Sequence, residues 1–206
     1  MKQEAEERKA LEAEKKKVEA EELKYSNEIE KLSLQLESVS DAEKAKLNAK
    51  ILELQAQLAD VVIKKDSITK LQNGKAGNVY IISNLGSFGD GMFKIGMTRR
   101  IDPQERVDEL GSASVPFKFD VHSFIFSEDA VSLESKLHEA LNKKRVNKVN
   151  LRKEFFHSTV DELEELVTGI DPTAEFNKTM IAEEFRQSNS TDELYTNDFV
   201  LDEEDE

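Results

Sequence analysis

Leu11, Val18, Tyr25, Leu32 and Val39 recur every seven residues, and Ile29 and Leu36 fill the complementary heptad position. Earlier in the same seam that position is held by Lys15 and Glu22, so the seam is weak at first and better from Tyr25 onward. A second apolar series, Leu47, Ile51, Leu54, Leu58 and Val61, keeps the alternating four-three spacing but is one residue out of phase with the first. Between the two lies "SVSDAEK", where Ser40 and Glu43 have the spacing of a capping box. With no glycine or proline before Gly74 and with Ala, Glu, Lys and Leu dominant, residues 1–71 read as a helical arm. Two arrangements satisfy this pattern: a helical hairpin turning near Ser38 to Asp41, or one long coiled coil with a skip that changes its supercoil locally. The favoured expectation is a coiled coil that dimerises, a spacer or oligomerisation arm giving a homodimer or higher oligomer.

From Gly74 the pattern changes. "NVYIIS" and "MFKIG" are predicted strands joined by the glycine-rich "NLGSFGDG". "DPQERVDELG" opens with Asp and Pro and closes with Gly, the punctuation of a short helix. "FKFDVHSFIF" is a β-rich run, "SEDAVSLESKLHEALNKK" an amphipathic helix starting at a Ser127 cap, "EFFHS" a short strand or turn, and "VDELEELV" a last helix. The order is β-β-α-β-α in a compact domain over residues 74–169, making the chain α+β. Residues 170–206 complete it: "TAEFNKTMIAEEFRQS" predicts one more helix with Phe176, Met180 and Phe185 on one side, and "NSTDELYTNDFVLDEEDE" is polar and acidic enough for disorder.

Charge is distributed unevenly. Residues 1–70 hold 14 Lys+Arg against 16 Asp+Glu, residues 71–160 hold 13 against 11, and residues 161–206 hold 2 against 16. The formal net charge of −14 therefore resides in the C-terminal quarter, and the acidity does not exclude nucleic-acid binding by the middle. The chain has no cysteine, which excludes disulfides, thiolate zinc sites and cysteine nucleophiles. Any metal must be held by oxygen or imidazole, favouring a hard ion such as Mg²⁺ or Mn²⁺. No apolar run approaches the roughly 18 residues of a membrane span, and the N-terminus lacks the apolar core of a signal peptide; the expectation is a soluble, cytoplasmic protein.

Several side chains in the middle segment carry candidate chemistry. Tyr80 stands on the first strand on the side shared with Ile82, opposite Val79 and Ile81. Lys94 interrupts the second strand, and Arg106 lies on the short helix after it. On the next helix Val131, Leu137 and Leu141 mark the expected buried stripe, and Glu134 and His138 fall in the same series. A carboxylate there needs an arginine, a metal or a histidine as partner. "KKRVNKVNLRKEFF" adds basic and amide side chains suited to phosphate contacts. Gly86, Gly89 and Gly91 are not followed by Gly-Lys-Ser/Thr, so they read as a flexible connection, not a nucleotide loop.

Gly77-Asn78-Val79-Tyr80, then Lys94-Ile95-Gly96, Arg106, Glu134 and Asn147, resemble the ordered motifs of the GIY-YIG nuclease superfamily over roughly residues 76–160. "FKIGMTRRIDPQERVDEL" and "RVNKVNLRKEFF" are similar to a phage-associated and bacterial branch, in which a helical region often precedes the nuclease domain and some relatives cut incoming phage DNA. The resemblance implies a three-stranded, mainly antiparallel sheet and a DNA endonuclease dependent on Mg²⁺ or Mn²⁺. It implies that Tyr80 helps activate the attacking water; with an ordinary pKa of about 10 it needs a nearby cation to act at neutral pH. Arg106 would stabilise the phosphorane-like transition state, and Glu134 would bind the metal. Asn147 matches the late asparagine, with Asn150 close enough to compete.

Two departures stand out. Asn78-Val79 replace the family's Gly-Ile, and Lys94 stands where the name-giving tyrosine would be. Lys94 is read as holding a phosphate or as favouring deprotonation of Tyr80 or the water, and His138, one turn from Glu134, as supporting the metal ligand or taking part in catalysis; His122 and His157 are read as structural. Arg99, Arg100, Arg145, Asn147, Asn150, Arg152 and Lys153 are the candidates for DNA contact.

The competing class is a non-catalytic scaffold that binds nucleic acid or a partner. The acidic tail could also occupy the DNA groove of its own domain, although a solvated tail is the simpler expectation.

Overall fold

The computed structural model describes residues 2–36, 40–112 and 115–190. Ser38 and Val39, named above, and residues 191–206 of the acidic tail lie outside the described residues.

The N-terminal pattern resolves as two helices that pair within the chain, α1 (Lys2–Gln35) and α2 (Asp41–Gln72). The expected continuous coil is therefore corrected to a hairpin. Ser40, in extended conformation, starts α2 with the capping box anticipated from its spacing: its backbone N–H donates to the Glu43 carboxylate at 3.2 Å. The shift of one residue between the two apolar series lets each helix present a separate seam to the other. Leu11 and Val18 from α1 meet Val61, Ile68 and Leu71 from α2, with Tyr25 packed alongside. Lys15 reaches Gln72 at 3.3 Å and Lys65 reaches Glu22 at 2.6 Å, so positions that rise along α1 meet positions that fall along α2, the pairing of an antiparallel hairpin, and Lys64 adds an ion pair to Glu14 at 2.8 Å. Five buried aliphatic side chains at about 1.5–3 kcal/mol each outweigh such partly exposed ion pairs, which are worth about 0–1 kcal/mol. The seam supplies the stability.

The α/β region contains four strands, β1 (Gly77–Ser83), β2 (Met92–Thr98), β3 (Asp120–Ser127) and β4 (Phe155–His157), in the order β3-β1-β2-β4. The expected three-stranded sheet is thus extended by "FFH", which pairs antiparallel with β2: Met92 with His157, Phe93 with Phe156 and Lys94 with Phe155. The glycine-rich connection is partly ordered as the one-turn α3 (Leu85–Phe88), where the Asn84 side chain accepts from the Ser87 backbone. Gly89, with φ of 78°, takes a positive-φ conformation that glycine adopts without a steric penalty, and it ends this turn. The remaining helices are α4 (Pro103–Ser112), α5 (Ala130–Ala140), α6 (Val160–Ile170) and α7 (Glu183–Ser188), with a 3-10 turn over Asn142–Lys144.

The start of α5 differs from expectation. Asp129, not Ser127, caps it, its carboxylate accepting from the Ser132 backbone at 3.0 Å, while the Ser127 hydroxyl accepts from the Asp129 backbone. The long helix expected after Pro172 is also corrected: only Glu183–Ser188 is helical. Residues 175–177 use their backbone to follow β3 instead. The Asn177 N–H donates to the His122 carbonyl at 2.7 Å, and the Ser123 hydroxyl donates to the Glu175 carbonyl. Phe176 stacks on the His122 ring, so the aromatic side chain expected on a helix face anchors an extended strap.

The described residues fall into two compact units, one within Met1–Val79, Met97–Pro103 and Phe126–Lys136 and the other within Tyr80–Gly96, Gln104–Ile125 and Leu137–Glu206. In the second, Phe93, Ile95, Ile81, Ile82, Leu137, Phe156, Leu163 and Val167 are fully buried. No helix among the described residues is long and apolar enough to cross a membrane.

Candidate functional site

Tyr80 is buried and packs with Ile82 and Val107, confirming the strand face predicted for it. Val107 is the buried position of α4, so this contact seats the helix that carries Arg106 beside it in sequence. Gly96 explains the glycine of the second motif. A Cβ added there would lie 2.4 Å from the Tyr80 hydroxyl oxygen, so only glycine admits the phenol against β2.

Lys94, two residues before Gly96, is almost fully buried, at 9% exposure. Its Nζ lies 3.1 Å from a Glu154 carboxylate oxygen, 6.0 Å from the Tyr80 ring centroid and 5.4 Å from that of Phe155. The lysine that replaces a tyrosine in the second motif is thus close to the tyrosine of the first. It is held by an acid at the entrance to β4.

On α5 the buried stripe is Ala130, Leu133 and Leu137, continued by Leu141 just past the helix end. Val131 is 41% exposed, which corrects its place in the expected stripe. Glu134 and His138 are half-buried on the flank of that stripe, one helical turn apart. The His138 Nε2 lies 3.0 Å from the Ile95 carbonyl, and a carbonyl can only accept, so Nε2 carries the proton and Nδ1 keeps the lone pair. Burial pushes the His138 imidazole below its ordinary pKa, favouring this neutral form. The Ile95 N–H in turn donates to the Glu154 carbonyl at 3.2 Å. One β2 residue therefore fixes both the His138 ring and the Glu154 backbone.

Glu134, His138 and Glu154 each offer one ligand atom, all within 4.8 Å of one another. Two atoms bound to one ion at about 2.1 Å can be at most about 4.2 Å apart, so small side-chain adjustments suffice to hold a hard cation. Two carboxylates and one imidazole suit Mn²⁺ and Mg²⁺. Glu134 and His138 were anticipated from the sequence; Glu154 was not. Its signal was present, as the one acid between Glu139 and Asp161, in an otherwise basic stretch directly before Phe-Phe.

Arg106 directs Nη1 to Glu109 at 3.1 Å, an i,i+3 pair on α4. Arg99 donates from Nε to the Gly74 carbonyl at 3.1 Å, and the Arg100 backbone N–H donates to the Thr98 hydroxyl at 3.2 Å. Arg145 is committed internally: its guanidinium donates to Asn142 and to the Leu151 carbonyl and lies 4.8 Å from the Phe156 ring centroid. The Asn147 side chain accepts from the Val149 and Asn150 backbones, and that of Asn150 accepts from the Arg152 backbone. These three residues shape the loop before β4. Arg152 and Lys153 are exposed on it.

His122 has the structural role expected, bonded to the Ser83 hydroxyl at 2.8 Å and to the Asn177 carbonyl at 2.6 Å. His157 is exposed on β4.

Residues 77–171 match the family model of the T5orf172 domain. No curated protein and no solved structure gives a match.

Proposed function

We propose that the segment matching the T5orf172 domain is a metal-dependent DNA endonuclease domain that hydrolyses phosphodiester bonds. T5orf172 is a phage-associated domain found in nuclease contexts, which supports a nuclease or DNA-binding role. The observation that carries the finer reading is the gathering of Glu134, His138 and Glu154, with Glu154 also 3.1 Å from Lys94.

In this reading Glu134 is a ligand of Mg²⁺ or Mn²⁺, with His138 beside it through Nδ1. When bound, the ion supplies positive charge to the scissile phosphate and to the leaving oxygen. The reaction forms a bond from a water oxygen to phosphorus and breaks the bond to the leaving sugar oxygen, which takes up a proton. The Tyr80 hydroxyl, with Lys94 as its nearby cation, takes part in removing the water's proton. Lys94 and the Arg106 fork bind phosphate oxygens as negative charge grows on them. Arg152 and Lys153 hold the flanking DNA backbone through its phosphates. In a phage-associated setting the DNA attacked is foreign DNA in the cytoplasm.

A second reading is a scaffold that binds nucleic acid without cutting. The hairpin favours it, because Leu23, Leu34, Leu52 and Ile63 are each more than 60% exposed and offer a surface to a second copy. Incubation with supercoiled plasmid and Mg²⁺ or Mn²⁺ separates the two. The nuclease reading predicts nicking that disappears with EDTA and in Glu134→Ala; the scaffold reading predicts metal-independent binding without nicks.

A further inference from the structure

Glu154 faces two kinds of cation. Its carboxylate contacts the Lys94 ammonium at 3.1 Å, and it also belongs to the group able to hold a metal ion. The two roles are electrostatically opposed. A dication and an ammonium a few ångströms apart repel, most strongly where water is scarce, and the Lys94 and Glu154 side chains are only 11% and 29% exposed. Neither partner can easily withdraw through the backbone, because the Ile95 N–H fixes the Glu154 carbonyl and the Lys94–Phe155 register ties the strands. The adjustable element is the lysine side chain, with four rotatable carbons ending in a compact charge.

We propose that Glu154 is a ligand of the metal together with Glu134 and His138, and that metal loading displaces Lys94 from Glu154, releasing it for a phosphate oxygen. Glu154 thereby stores Lys94 in the metal-free protein and makes its availability conditional on the ion. The metal would load first and the phosphate-binding lysine become free second, so metal-free protein would hold DNA without its full set of phosphate contacts. This rests on the metal-dependent reading of the site.

The test uses the full chain without DNA. Mn²⁺ binding is measured by calorimetry for the wild type, Glu154→Gln, Lys94→Met and Glu139→Gln, with folding checked by circular dichroism. In parallel, the Lys94 side-chain signal is followed by NMR during Mg²⁺ addition, assigned by its loss in Lys94→Met. Glu154→Gln should bind Mn²⁺ at least about tenfold more weakly. Lys94→Met, lacking the competing cation, should bind it several-fold more tightly, and Glu139→Gln, the same charge change at an exposed position of α5, should match the wild type. Mg²⁺ should move the Lys94 signal.

Unchanged Mn²⁺ affinity in Glu154→Gln, or unchanged or weaker affinity in Lys94→Met, overturns the proposal. Should Glu154→Gln not fold, Lys94→Met and the NMR signal decide the matter. Nicking by a wild type whose Lys94 ignores Mg²⁺ would defeat this proposal and leave the nuclease reading standing. The predicted binding pattern without nicking would do the reverse.

Discussion

Gly96 and Tyr80 fit each other as a backbone gap and the side chain that fills it: a Cβ on Gly96 would meet the phenol oxygen at 2.4 Å and Cζ at 2.7 Å. Both lie in the same compact unit, and Tyr80 is also packed by Ile82 and Val107, so it has little freedom to yield. Gly96→Ala should lower stability by about 1–3 kcal/mol, as overpacking of a filled interior does. In a thermal-melt cycle, combining it with Tyr80→Phe should cost less than the sum of the single changes, because the two share one contact. Strict additivity would show that the phenol leaves its position when the glycine is filled.

Lys94→Met should reduce nicking by about two orders of magnitude or more, the scale expected for loss of a donor to transition-state charge. It removes one partner of a largely desolvated pair, so a modest loss of stability should accompany the effect. Activity measured well below the mutant's melting temperature separates the two. Full activity would assign Lys94 to the ion pair alone.

The loop before β4 predicts a division of labour among residues that the sequence grouped together. Replacing Arg152 and Lys153 with Ala should weaken DNA binding and make the slope of log affinity against log salt shallower by about 0.9 per lost phosphate contact. Arg145→Ala should instead lower the melting temperature, because that guanidinium is spent on Asn142, the Leu151 carbonyl and the Phe156 ring. Parallel salt titrations and melts of the two variants distinguish these outcomes.

His122 gives a pH dependence of stability. Burial lowers its pKa below the ordinary 6.5, against the opposing influence of the Asn177 hydrogen bond and the Asp120 charge. Below about pH 6.5 the unfolded chain therefore binds more protons than the folded one, so this stability is complete above that pH and declines as pH falls toward the folded value. The melting temperature should drop between pH 7 and pH 5, with a smaller drop in His122→Asn. Equal slopes would place the titration elsewhere; His138, shifted in the same direction, contributes to the part that remains.

Periodicity and spacing made much of this fold legible. The heptad series found both N-terminal helices, and Ser40 with Glu43 marked where the second begins, but pairing within a chain and between chains bury the same seam. The one-residue phase shift was the signal for a hairpin. β4 was ambiguous because three residues are too few to display a period, and its identity depends on the distant ladder with β2. The strap along β3 looked helical because Phe176, Met180 and Phe185 have helical spacing, while the deciding bonds are made by backbone groups to His122 and Ser123. Tyr80, Lys94, Glu134 and His138 could be singled out locally. Glu154 had only a weak local mark, a lone acid in a basic stretch, because its significance comes from Lys94 and Ile95 some sixty residues earlier.

The most direct measurement is the rate at which the purified protein nicks supercoiled plasmid in Mn²⁺ or Mg²⁺, alongside Glu134→Ala of matched folding and DNA affinity. The account predicts metal-dependent nicking by the wild type, abolished by EDTA, and at least about a hundredfold slower in the variant. Equal nicking by the two proteins would contradict it.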